Sequence, residues 1–241
     1  MSANESKKLA RREVLVALGA SVGAAALAAC GSSSPTSPST ATTTTPATTN
    51  NASCVVSASE TRGPYPDTIG MINNAAFYRR DITEGRSGLP LTLTLTIVNV
   101  NNACAAVSGV QVEVWQCDAA GTYSEYGQGS GQTFLRGVQT TDAGGQVTFT
   151  TIYPGWYAGR ATHIHVDVYR SGAIVKTTQI AFPESISAAV YATGVYASKG
   201  QNSTTNSSDN VFSDGTTNEL ATVTGNTTSG YTATLQVGIA I

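Results

Sequence analysis

The sequence predicts an all-β fold, a β-sandwich of mainly antiparallel strands joined by long irregular loops, and three observations carry that prediction. Only 12% of the 241 residues are charged, and Thr, Ser, Gly and Val are abundant. Several short segments alternate apolar and polar residues with the period-two pattern of a strand that buries one face. Gly, Asp and Asn turns separate these segments, and from residue 54 onward no stretch carries a sustained helical repeat.

In chain order, residues 1–29 read as an export signal. Lys7, Lys8, Arg11 and Arg12 form a basic region, Val14 to Ala29 an apolar one, and Leu27-Ala28-Ala29-Cys30 closes it. The apolar stretch is short and built of small side chains, which argues against a spanning helix. Ala10-Arg11-Arg12-Glu13-Val14-Leu15 resembles a twin-arginine signal, and Leu27 to Cys30 resembles a lipobox at which Cys30 becomes a lipidated first residue. An ordinary secretory signal with an incidental cysteine is the plainer alternative. Either reading implies export: lipid-anchored at the bacterial cell envelope, touching the membrane only through Cys30, or periplasmic or extracellular if the lipobox is not used. Residues 30–53 hold Ser, Thr, Pro, Ala and Asn with nothing to bury, the composition of a flexible tether. The folded domain is expected over 54–241.

Within it, Leu91, Leu93, Leu95 and Ile97 alternate with threonines, Val110, Val112 and Val114 repeat the pattern, and Val147, Phe149 and Thr151 follow the turn Thr141 to Gly145. Further strands are expected over 164–169, 174–182 and 231–239. Between Pro183 and Gly230 lies a Ser/Thr/Asn/Gly-rich segment, long enough as a loop to be functional or mobile. Cys54, Cys104 and Cys117 cannot all pair with one another. A Cys104 to Cys117 bridge would fit, both lying near the outer ends of consecutive predicted strands, but the pairing is a matter for geometry rather than sequence. The formal net charge of -2 offers no basic surface for nucleic acid and points to small-molecule partners.

Both histidines of the chain fall in His163-Ile164-His165. Alternation puts the two imidazoles on one face of a strand and Ile164, Val166 and Val168 on the other. Two neutral imidazoles so placed can converge on a metal, and a polar outer face is the equal alternative.

The surrounding residues are more specific. The run from Thr151 to His165, with Pro154-Gly155-Trp156-Tyr157 ahead of Arg160-Ala161-Thr162-His163-Ile164-His165, resembles a signature of the intradiol ring-cleaving dioxygenases. Val114 to Ser124, a Trp-bearing strand leading to Gly121-Thr122-Tyr123-Ser124, resembles the family's other signature. Arg136-Gly137, Thr141-Asp142 and Glu60-Thr61-Arg62-Gly63-Pro64-Tyr65 also fit, so the resemblance spans about 54–239 and is nearest the small secreted branch. It implies a non-haem Fe(III) cofactor held by Tyr123, Tyr157, His163 and His165. The implied substrates are a catechol-type molecule and dioxygen, the ring opening between its two hydroxyl-bearing carbons to a cis,cis-muconate-type diacid. It implies that Tyr157 leaves the metal when substrate binds, that Arg160 and Gln179 assist from behind the ligands, and that Gly63, Pro64 and Arg160 contact substrate. Phenolates are hard anionic donors that favour ferric iron, which makes the ligand set chemically coherent.

Two departures from the intracellular members stand out. Five residues separate Tyr157 from His163, a short loop, and Trp156 stands where those members often carry proline. A more open site, admitting bulkier catechols, is the expectation. Two other readings compete with the dioxygenase. One is a lipid-anchored module holding copper or zinc on His163 and His165, for which the strand offers only Asp167 as a further ligand. The other is a cupin-type oxygenase, which needs a following glutamate and a later histidine that the chain lacks.

Overall fold

The computed structural model describes residues 54–241. The expected signal over 1–29, the tether over 30–53 and Cys30 lie outside the described residues. Nine strands form two sheets: β1 (Pro90–Asn99), β2 (Ala105–Ala106), β3 (Gln111–Trp115), β4 (Arg136–Thr140), β5 (Gln146–Ile152), β6 (His163–Arg170), β7 (Ala173–Ala181), β8 (Thr222–Asn226) and β9 (Gly230–Ile239). One sheet is built on β1, which pairs antiparallel with β2 and β5 and parallel with β9, and β8 closes it against β9. The other runs β4-β3-β6-β7, antiparallel throughout. This is the predicted all-β sandwich.

Alternation decides what each sheet buries. Leu91, Leu93, Leu95 and Ile97 of β1 face Val112 and Val114 of β3 and Ile164, Val166 and Val168 of β6 in one continuous core. Each such aliphatic side chain contributes about 1.5–3 kcal/mol when fully buried. A charge at Val166, which is 0% exposed and lies opposite Val114, would break both sheets' packing.

The second face of β6 carries His163, His165 and Asp167, and it is not solvated. The segment from Ser57 to Tyr65 covers it: the Glu60 amide donates to Thr177 O (3.0 Å), Gln179 Nε2 to Thr61 O (2.8 Å) and Arg62 Nε to Asp167 (2.7 Å). A strand buried on both faces explains the run of eight residues with only Arg170 exposed.

Three features differ from the sequence expectation. The bridge joins Cys54 to Cys104, and Cys117 is free and buried. Cys104 precedes β3 and Cys117 follows it, so about 16 Å of strand keeps them apart. The segment after Pro183 is not all loop: it opens with α1 (Glu184–Tyr191), whose Glu184 favours the positive helix start, and later contributes β8. Two helical turns are too short for a periodic signal. Residues 136–140, expected only as part of a family motif, form the edge strand β4.

Candidate metal centre

The site grows from the end of β3. Past Trp115 the chain turns through Asp118, whose Oδ1 accepts from the amides of Ala120 and Thr122 at 3.0 and 2.9 Å, and delivers Tyr123 inward. Gly121 sits at φ +86, and a Cβ there would run into the Trp156 carbonyl, so the two tyrosine-bearing loops can touch only through glycine. Arg136 of β4 holds the next residue, donating from Nε to Ser124 Oγ and from Nη2 to Ser124 O, both at 2.9 Å, and from Nη2 to Tyr65 O at 3.1 Å. Tyr65 then stacks on Tyr123 with ring centroids 4.5 Å apart.

β6 supplies the imidazoles. His163 Nδ1 lies 2.7 Å from Ala161 O, which assigns the proton to Nδ1 and leaves Nε2 a bare lone pair. That Nε2 is 3.1 Å from His165 Nε2, 3.3 Å from the Tyr123 hydroxyl and 3.5 Å from the Tyr157 hydroxyl. Burial, with Arg160 adding to it, pushes His163 down to about 3. His165 is held well below its ordinary value by burial and then by His163. Both rings are therefore neutral, the form that binds metals. Burial pushes Tyr123 and Tyr157 up, so neither phenol ionises without an electropositive partner. Two phenol oxygens and two imidazole Nε2 atoms crowding one point fit a ferric ion: hard oxygens and borderline nitrogens, with no thiolate in the set.

The remaining expected residues lie close by. Arg160 Nη1 is 3.4 Å from both Tyr157 Oη and His163 Nε2, and its Nη2 donates to Gln179 Oε1. Gly63 packs against His165: a Cβ there would stand 2.9 Å from the ring's Cε1, and its φ of +68 suits glycine. Pro64, next in sequence, is exposed, as are Ala158 and Gly159, while Tyr157 is half-buried. Two further tyrosines pack without approaching the histidines: Tyr153 is core, bonded to Ser187 Oγ at 2.8 Å, and Tyr126 bonds Pro66 O at 2.8 Å.

Sequence reasoning missed two participants. Asp209 takes Arg160 Nε at 2.8 and 3.0 Å and the Ala161 amide at 2.7 Å, fixing the arginine from behind. It lies in the Ser/Thr/Asn-rich segment, where no pattern singles it out. Trp115 lies flat against His165. Its place in the motif was visible, but its partner was not.

Residues 63–199 match the family model for Dioxygenase. A catechol 1,2-dioxygenase of Candida albicans (strain SC5314 / ATCC MYA-2876) is 37% identical over 93 residues, a match that spans 31% of each chain. The intradiol ring-cleavage dioxygenase from Tetranychus urticae is 28% identical and superposes with a TM-score of 0.70, over 78% of this chain and 95% of that one. The dioxygenase domain of a dioxygenase and carbohydrate-binding fusion from Streptomyces sp. SirexAA-E is 27% identical, with a TM-score of 0.57 over 78% of this chain and 99% of that one. With the matched region covering both tyrosines, both histidines and Arg160, the chain belongs to the intradiol ring-cleaving dioxygenase family.

Proposed function

We propose that the chain is a non-haem Fe(III) dioxygenase that opens catechol-type rings between their two hydroxyl-bearing carbons with dioxygen, giving cis,cis-muconate-type diacids. The observation that carries this reading is the convergence of Tyr123, Tyr157 and His165 on the bare Nε2 of His163. Ferric iron held there supplies the Lewis acidity that ionises phenols and the redox partner through which a bound catecholate meets dioxygen.

The chain's own residues divide the remaining work. Tyr123, 2% exposed and stacked against Tyr65, is the fixed phenol, whereas Tyr157 is half-buried and its hydroxyl is met at 3.4 Å by Arg160 Nη1 and at 3.5 Å by His163 Nε2, which makes it the phenol that gives way to substrate. Tyr157 Oη is thus the atom that takes up a substrate hydroxyl proton. Arg160 Nη1, already within 3.4 Å of that oxygen, stabilises the negative charge that grows on the opened ring. Gln179 and Asp209 hold the guanidinium at Nη2 and Nε, so its orientation is set before substrate arrives. Gly63 packs against His165 with Pro64 exposed beside it in sequence, and the short loop between Tyr157 and His163 leaves Ala158 and Gly159 exposed. That openness supports acceptance of substituted catechols. From the signal-like residues 1–29 we further propose export, with the protein lipid-anchored through Cys30, or periplasmic or extracellular if the lipobox is not used.

Purified protein, assayed for iron, for visible absorbance and for oxygen uptake with a catechol panel, tests the proposal. Bound iron, a red-brown colour and a muconate-type product are expected. A semialdehyde product, or a colourless zinc-loaded protein with no oxygen uptake, overturns it. Strict preference for unsubstituted catechol overturns the open-site reading, and growth of the host with labelled fatty acid tests the anchor.

A further inference from the structure

On the free edge of β7, away from β6, two segments are strapped side by side. The Glu60 amide donates to Thr177 O at 3.0 Å, and the Ala181 amide donates to Glu219 O at 2.8 Å, so the two acidic residues flank Gln179 along one edge. There Glu60, Asp214 and Glu219 bring one carboxylate oxygen each within 4.8 Å of the other two.

Among the described residues no cation pairs with them directly, although Arg160 lies near enough to favour ionised Glu60. None of the three forms an ion pair. Lys176, near enough to feel Glu219, spends its ammonium on Ser57 O and Ser59 Oγ, both at 2.8 Å, and Arg160 is committed to Asp209. Glu219 is 1% exposed: its Oε1 accepts from Thr178 Oγ1 at 3.1 Å, while its Oε2 is sealed from water with no hydrogen-bond partner. A buried carboxylate oxygen without a partner is costly, and two further carboxylates beside it raise the cost. Burial and then the neighbouring Glu60 push Glu219 up to about 7, and burial and then Asp214 raise Glu60.

We propose that Glu60, Asp214 and Glu219 form a calcium site, separate from the tyrosine and histidine centre, that staples the Ser57 to Tyr65 segment to the loop bearing Asp209. All three donors are hard carboxylate oxygens, the ligand class of calcium rather than of the softer transition metals. Calcium binds oxygen at about 2.3–2.6 Å, so two of its ligands can stand up to about 5 Å apart, and the three carboxylate oxygens lie within 4.8 Å of one another. Magnesium demands near-ideal octahedral geometry at about 2.0–2.1 Å, which makes it the more exacting ion to place here. Exposed Asp214 leaves room for the waters that complete the shell. The staple joins the segment whose Thr61 carbonyl holds Gln179 to the loop whose Asp209 holds Arg160, so the cation would brace both supports of the arginine.

Titration calorimetry of the full iron-loaded chain with calcium chloride tests this. One saturable site per chain is expected, with a dissociation constant of about 10⁻⁵ to 10⁻³ M. The thermal midpoint should rise with calcium and not with sodium chloride of equal ionic strength. Asp214→Asn, an exposed change that leaves the fold intact, should weaken binding at least tenfold, and Glu219→Gln should abolish it while the calcium-free protein stays folded. Absence of saturable heat up to about 10 mM calcium, or undiminished binding by Asp214→Asn, overturns the site. Calcium uptake is read without ring cleavage. A chain that binds calcium but leaves catechol intact therefore counts only against the ferric reading, and the reverse counts only against this one.

Discussion

Trp115 lies flat against His165, with ring centroids 4.7 Å apart and planes within 2° of parallel. The stack comes from register, because the two residues are directly paired across β3 and β6. It fixes the imidazole plane with dispersion and quadrupole contact rather than a hydrogen bond, and His165 Nδ1 indeed has no partner. Trp115→Leu should cost roughly 2–4 kcal/mol in denaturant unfolding and lower the iron content of the purified protein. Trp115→Phe, which keeps a ring against His165, should retain most of its iron.

Gly63→Ala places a methyl group 2.9 Å from His165 Cε1 on a backbone at φ +68. The left-handed conformation alone costs about 1–2 kcal/mol, and the ring must also shift. A lower thermal midpoint together with a displaced visible band is expected, whereas Pro64→Ala should leave both nearly unchanged.

Asp209→Ala leaves the Arg160 guanidinium and the Ala161 amide without their shared acceptor. Breaking such a buried pair costs about 3–5 kcal/mol. Ring-cleavage kcat should fall about a hundredfold, the scale of a misplaced charge, with KM changing less. An Asp209→Ala variant with unaltered kcat would show that Arg160 needs no fixing.

Glu113 and Asp167 lie opposite each other across β3 and β6, both 0% exposed. Asp167 takes Arg62 Nε at 2.7 Å, whereas Glu113 receives Arg62 only at 3.4 Å, and burial followed by Asp167 pushes Glu113 up to about 7 from 4.5. The folded chain therefore binds this proton more tightly than the unfolded one. The resulting stability is complete below pH 4.5 and lost as pH rises through about 7. His163, pushed down to about 3 from 6.5, acts oppositely in iron-free protein: its stability is present above 6.5 and lost as pH falls towards 3. Glu113→Gln should remove its share of the loss between pH 4.5 and 7, read from urea unfolding of iron-free protein across that window.

The Cys54 to Cys104 bridge closes a separation of 50 residues, for which chain entropy predicts roughly 4 kcal/mol of stabilisation. Cys54→Ser should lose a comparable amount. Cys117, buried against Tyr123 and with its thiol pushed up to about 12, should resist alkylation at mildly alkaline pH until the protein is unfolded.

Most of the sandwich was legible because an alternating apolar row marks the core-facing side of β1, β3, β5, β6 and β9. The four proposed ligands were legible for a different reason, since each sits in a short motif whose turn chemistry is local. What escaped depends on partners distant in sequence. Asp209 is defined by an arginine 49 residues away, and the pairing of Cys54 by a turn 50 residues away. Short α1, edge strand β4 and exposed β8 bury too little of a regular face to leave a pattern.

The bridge has a mechanical consequence. The segment that lines the metal centre, Ser57 to Tyr65, begins three residues beyond Cys54. Because Cys54 is covalently tied to Cys104 at the turn between β1 and β2, a pull on the chain ahead of it is carried into the β1 sheet. The load bypasses Gly63 and Thr61, and the wall beside His165 keeps its place while the domain is tugged from its N-terminal side.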